Sequence, residues 1–187
     1  MSETRHLGEA RRILVYGVTG SGKSTLAREV ADATGIAWTD VDEHTWRPGW
    51  MPVPEEEQLR YFTEVCAREA WILDTAYHQW RHVALERAEL VVALDYARWR
   101  SMLRLLRRTL VRMMTREKVC NGNVESLSQV LSRDSILLWH FRSFASRRTQ
   151  IAEWAAAPSG PPVVRLRSPG ETSAWLTALR AGSEPAH

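Results

Sequence analysis

The chain has 187 residues, 44% of them hydrophobic and 25% charged, and a net charge of +3; that length supports one domain with a real core, and the mild charge is weak support for a nucleic-acid binder. Its longest apolar stretch, Leu90–Leu94, is too short to cross a bilayer, and the polar opening "MSETRHLGEARR" is no secretion signal. Two cysteines, Cys66 and Cys120, with no CxxC pair, form neither a disulfide framework nor a structural zinc site, so a cytoplasmic protein is expected.

In chain order, Ile13-Leu14-Val15-Tyr16 reads as a short buried strand. It ends at Gly17, which opens the pattern Gly17-x-x-x-x-Gly22-Lys23-Ser24, the phosphate-binding loop. All but two of the 25 basic residues are arginines, and Lys23 is one of the two lysines. With lysine that scarce, a chance match is roughly one in a thousand. Ser24–Val30 then reads as helix with Leu26, Ala27 and Val30 on one face, ended by Gly35. Strand, glycine loop and helix together predict a nucleotide site made of Gly17, Thr19, Gly20, Ser21, Gly22, Lys23, Ser24 and Thr25. The glycines admit close approach of backbone to ligand, and the helix N-terminus favours an anion. Lys23 is placed to reach the β- and γ-phosphates of ATP, and Ser24 to bind Mg²⁺.

Ile36–Thr39 predicts a second strand leading to Asp40-Val41-Asp42, followed by a polar loop, "EHTWRPGWMPVP". If the chain stays extended there, the side chains of Asp40 and Asp42 face the same way. Pro54 starts a helix with Glu55, Glu56 and Glu57 in its first turn and Leu59, Phe62, Val65 and Cys66 on its apolar face. Trp71–Leu73 is a third strand ending at Asp74, a helix carrying Trp80, Val83 and Leu85 ends near Ala88, and Leu90–Leu94 is a fourth strand ending at Asp95. A long helix from about Ala97 to Thr115 carries Arg100, Arg104, Arg107, Arg108 and Arg112, with Leu103, Leu106, Leu110 and Met113 or Met114 as its expected buried side. The segment after it, which includes Arg116, has no clear periodicity. A helix over about 134–156, a fifth strand over Val163–Leu166 and a last helix around 171–180 complete the chain. The alternation predicts an α/β fold with a parallel sheet covered on both faces. Gly17, Asp40, Asp42, Asp74 and Asp95 all fall at C-terminal strand ends, the edge at which open α/β sheets bind ligands.

The arrangement resembles the P-loop kinases of the adenylate kinase and shikimate kinase type. It is most similar to the small adenylate-kinase-related proteins known as DNA topology modulation proteins. The resemblance rests on "GVTGSGKSTLA", "DEHTWRPGW", "WILDTAY", "LERAELVVALD" and "NGNVESL…SRDSILLWHFRS", roughly residues 12–150. The family pattern after the third strand is Asp-Gly-Asn-Tyr, and here it is Asp74-Thr75-Ala76-Tyr77. The resemblance implies a three-layer P-loop NTPase fold with a five-stranded parallel sheet, one domain over residues 1–187. It also implies an acceptor-binding region over about 40–70 and a small helical lid over about 115–135.

It further implies that Asp42 lies near the metal and the acceptor hydroxyl and acts as base, with Asp40 beside it; the alternative is two aspartates capping a turn. Asp74 or Asp95 is the carboxylate that supports Mg²⁺ through water, family position favouring Asp74 and leaving Asp95 as a helix cap. Trp46, Trp50 and Tyr77 are either an aromatic wall for the acceptor or loop packing. Arg104 and Arg108 are read as phosphate clamps and the other arginines of that helix as a solvated face, with Arg133 and Arg142 as weaker candidates. The function expected is transfer of the γ-phosphoryl of ATP to a small acceptor, a nucleoside monophosphate or a hydroxylated metabolite. The competing reading is an NTP-dependent regulatory protein whose arginine helix binds nucleic acid. Contact of that helix with a membrane surface ranks last.

Overall fold

The computed structural model describes residues 9–115, 118–119, 121–124 and 136–183. Its main sheet has five parallel strands: β1 (Arg12–Gly17), β2 (Trp38–Thr39), β5 (Trp71–Leu73), β6 (Leu90–Leu94) and β9 (Val163–Leu166), in the order β2-β5-β1-β6-β9. Leu14 of β1 lies between Leu73 of β5 and Val91 of β6. All five expected strands are present, the second shortened to its last two residues. The helices are α1 (Lys23–Thr34), α2 (Val41–Thr45), α3 (Glu55–Cys66), α4 (Arg81–Arg87), α5 (Arg98–Thr115), α6 (Ile136–Ala156) and α7 (Pro169–Ser183). Two small antiparallel hairpins, β3 (Trp46–Arg47) with β4 (Met51–Pro52) and β7 (Lys118–Val119) with β8 (Asn123–Val124), lie outside the main sheet.

Period-two alternation along β1 divides the core. Leu14 and Tyr16 join Phe62, Trp80 and Ile151 on one face, while Ile13 and Val15 join Leu26, Val30 and Leu176 on the other. Strands buried on both faces need helices on both sides, and α3, α4 and α6 supply one layer, α1 and α7 the other. Phe62 and Trp80 stack with ring centroids 3.8 Å apart and fix α3 against the start of α4. Gly35 closes α1 in the left-handed conformation at φ 71°, as a C-terminal glycine should. No helix among the described residues is long and apolar enough to cross a membrane.

Three expectations about which side chains face inward are corrected. On α5, Leu103 and Leu110 are more than half exposed, Leu106 is exposed too, and Met114 is 85% exposed. The buried row is Ser101, Leu105 and Thr109. At Ser101 and Leu105 this helix lies against Gly20 of the glycine loop. The side chain of Met113 lies outside the described residues. On α3, Gln58 takes the buried position expected of its neighbour Leu59, and its amide donates to the Val53 carbonyl at 2.7 Å. After β2 the chain is not extended: Asp40 caps α2 and Asp42 sits in its first turn.

Candidate active site

The loop after β1 turns tightly, Ser21 N–H donating to the Val18 carbonyl at 3.2 Å. Gly22 begins α1 at φ 98° with no side-chain cap, and the first turn carries no acid. The helix thus presents uncapped N–H groups and the positive end of its dipole to whatever anion lies in the loop. Gly20, at φ 80°, lets the loop touch α5: a Cβ there would sit 2.6 Å from the Ser101 carbonyl. Thr19 is half-buried in the turn, and Thr25 is exposed on α1.

Lys23 crosses the loop and donates to the Val18 carbonyl at 3.2 Å. Burial lowers its pKa to about 8, helped by Arg147 and Arg108, while Asp42 and Asp74 oppose the shift. The groups that perturb this one ammonium are therefore two carboxylates from one side of the sheet edge and two guanidiniums from α5 and α6. Arg104 donates to the Ser21 carbonyl at 3.1 Å and lies over the Tyr96 ring. Arg104, Arg107, Arg108, Val111 and Arg112 line a cleft of about 290 Å³ along α5.

Asp74 is buried at the end of β5, accepting from the Ser24 hydroxyl and from the Val41 N–H at 3.1 Å. Burial raises its pKa despite those bonds. Ser24 and Asp74 thus bring two hard oxygens together, a donor set that would suit Mg²⁺. Among the described residues no cluster of three acidic, His or Cys side chains could hold a metal unaided. Asp95 is committed elsewhere: its carboxylate, 1% exposed, meets Arg165 at 2.6 Å and Arg148 at 2.8 Å. An ion-paired bridge between β6, β9 and α6 stands where a helix cap was expected.

Asp42 accepts the Tyr77 hydroxyl at 2.7 Å, and the Trp46 side chain in turn hydrogen-bonds Tyr77. Tyr77 is held far above its ordinary pKa by burial and by the charge of Asp42, so it stays a donor. Trp46 meets Trp50 edge-on at 6.2 Å. Asp40 accepts from Asp42 N–H at 3.0 Å. Its pKa rises to about 6 through burial first, then through Asp74, Asp42 and Glu43.

Sequence reasoning missed three residues here. Arg147 of α6 donates to the Gly17 carbonyl at 3.2 Å and covers the Tyr16 ring. No spacing marks it, since its place depends on how α6 packs on β1. Asn121 donates to the carbonyls of Glu43 and Trp46 at 2.6 and 2.7 Å. Asn123 accepts from the N–H groups of Gly49 and Trp50 and donates to the Arg47 carbonyl. The "NGN" turn is a hairpin cue that could have flagged them. Most of the expected lid over 115–135 lies outside the described residues, as do Arg116 and Arg133 and the side chain of Arg142.

No family model matches the sequence, and no curated protein matches it. Solved structures do. A shikimate kinase from Acinetobacter baumannii in complex with shikimate is 15% identical, covering 95% of this chain and 96% of its own, with a TM-score of 0.59. A shikimate kinase from Bacteroides thetaiotaomicron is 14% identical, covering 92% and 97%, with a TM-score of 0.54. A gluconokinase from Sinorhizobium meliloti is 18% identical, covering 91% and 90%, with a TM-score of 0.52. The parallel five-stranded sheet, its glycine loop and these likenesses give the chain the three-layer α/β/α fold of the P-loop NTPases.

Proposed function

We propose that this protein is an ATP-dependent kinase that transfers the γ-phosphoryl group to a hydroxyl of a small acceptor. The observation that carries the reading is what meets at the loop: Lys23 on the Val18 carbonyl, Arg104 on the Ser21 carbonyl, Arg147 on the Gly17 carbonyl, and Asp74 joined to the Val41 N–H next to Asp42. A phosphate-binding lysine, a metal-side carboxylate, an acceptor-side carboxylate and two guanidiniums are what phosphoryl transfer asks of a protein. The fold is also that of kinases named for small acceptors.

In this reading Gly17, Thr19, Gly20, Ser21, Gly22 and Thr25 line the nucleotide. Lys23 holds the β- and γ-phosphates, and Arg104, Arg108 and Arg147 neutralise charge on the transferring group. Ser24 and Asp74 are the groups that would hold Mg²⁺, which would neutralise the charge on the phosphates during transfer. Asp42 takes the proton of the acceptor hydroxyl as its oxygen attacks the γ-phosphorus, and the bond to the β-phosphate oxygen breaks to release ADP. Tyr77 fixes the carboxylate so that its second oxygen is turned to the acceptor. Asp40, Trp46 and the rest of residues 40–70 shape the acceptor side. Within this class we read residues 1–187 as one adenylate-kinase-related cytoplasmic unit, of the DNA topology modulation subgroup that its quoted stretches resemble. Direct nucleic-acid binding is not favoured, since Arg104, one of the arginines that would carry it, is bonded to the loop.

Mg-ATP should raise the melting temperature, and Lys23→Ala should abolish the rise. A wild-type protein that does not respond to Mg-ATP sinks the nucleotide site. A broad acceptor screen that never accelerates ADP release, together with salt-sensitive DNA or RNA binding, would favour the regulatory alternative instead.

A further inference from the structure

Among the described residues, carboxylates gather on the acceptor side of the site. Asp40, Asp42 and Glu43 are neighbours on and before α2, and Asp74 is joined to the Val41 N–H of that helix. The described cations nearby are engaged elsewhere. Arg47 is paired with Glu57 at 2.6 Å on the outer hairpin. Arg81 donates to Gln150 at 3.1 Å and lies over Trp154. Lys23 and Arg147 belong to the loop, where the nucleotide phosphates need them. The remaining polar contacts of the acceptor side come from neutral groups. These are the Tyr77 hydroxyl, the Trp46 side chain bonded to it, and the buried Trp50 indole N–H, which has no hydrogen-bond partner.

We propose that the acceptor is an uncharged hydroxylated molecule, a polyol, sugar or nucleoside, and not a monophosphate or a sugar acid. The inference rests on the phosphotransfer reading of the same site and narrows it. An anionic substituent here would lie among carboxylates, while the described guanidiniums nearby are already bonded to Glu57, Gln150 and the Gly17 carbonyl. A neutral hydroxyl has the opposite fit. It donates to Asp42, whose other oxygen already accepts from Tyr77, and it accepts from the unpartnered Trp50 indole N–H. The transfer then balances simply: the acceptor proton passes to Asp42, the acceptor oxygen gains the γ-phosphoryl, and ADP leaves.

The experiment uses the full chain with Mg-ATP and reads ADP release for matched acceptor pairs: adenosine against AMP, glycerol against glycerol phosphate, glucose against gluconate. The neutral member of the preferred pair should exceed its anionic counterpart at least tenfold in kcat/KM. Asp40→Asn, which keeps the cap and removes one charge, should narrow that preference several-fold, chiefly through the KM of the anion. Asp42→Asn should lower kcat for the neutral acceptor at least a hundredfold with little change in its KM. Preference for the anionic member in every active pair overturns this inference and leaves the kinase reading standing. No acceleration by any member, in a protein that Mg-ATP still stabilises, overturns the kinase reading and this inference with it.

Discussion

Gly20 sets the spacing between the phosphate loop and α5, so Gly20→Ala tests how the site is built. Two separate effects add. The backbone at φ 80° is left-handed, and that alone costs an alanine about 1 kcal/mol. The added Cβ would lie 2.6 Å from the Ser101 carbonyl oxygen and 2.9 Å from the Leu105 Cβ. Both are fixed parts of α5, so the loop and the helix must part, an overpacking that costs about 1–3 kcal/mol. The sum is about 2–4 kcal/mol. In a chain of this length each kcal/mol lowers Tm by about 2–4 °C, so the expected fall is roughly 4–16 °C. Gly35→Ala is the control: its φ is 71° and nothing lies within 4 Å of the added Cβ. It should lose only the backbone cost, about 2–4 °C. Scanning calorimetry with and without Mg-ATP gives both readouts, and Gly20→Ala should also shrink the nucleotide-induced shift, because Arg104 moves with the helix. Equal losses in the two variants would refute the claim that α5 is packed against the loop at this distance.

The remaining predictions concern charge. Asp40 binds its proton more tightly in the folded protein, at about 6, than in the unfolded chain. Its ionisation therefore removes stability as pH rises through that value, and the loss is regained as pH falls towards about 4. Asp40→Asn preserves an N-cap residue, so it should stabilise the protein by about 1 kcal/mol near pH 8, allowing for partial exposure, and be neutral near pH 4, as read from urea melts. An equal effect at both pH values would contradict the assignment. Asp95→Asn should cost about 3 kcal/mol, because Arg165 and Arg148 lose the carboxylate that compensates them. A change below 1 kcal/mol in the same melts would show that the ion pairs do not hold β9 and α6 to β6.

The strands were legible because parallel strands buried on both faces read as plain apolar runs, as in Leu90–Leu94. The loop was legible because its chemistry is local: two glycines, a lysine and a serine at fixed spacing in one short stretch. The orientation of α5 was not. Leucines and arginines share its sequence at helical spacing, and periodicity shows that a row exists without saying which row meets the core. Ser101 looks like a surface residue until the loop that its carbonyl approaches is in place. Arg147 was hidden for the same reason, since its partner, the Gly17 carbonyl, is 130 positions away. The short α2 was missed because Asp40 works as a cap, and a two-residue strand before it leaves little periodicity to read.

The clamp made by Asn121 and Asn123 has a consequence for the evolution of the site. Each bond that these amides make to residues 43–50 ends on a main-chain atom. The hairpin therefore grips the acceptor loop by its path and ignores its side chains. Residues such as His44 and Trp46 can be exchanged without loosening that grip. In the proposed reading, side chains of the stretch assigned to the acceptor would change without altering the hold that the hairpin has on its backbone.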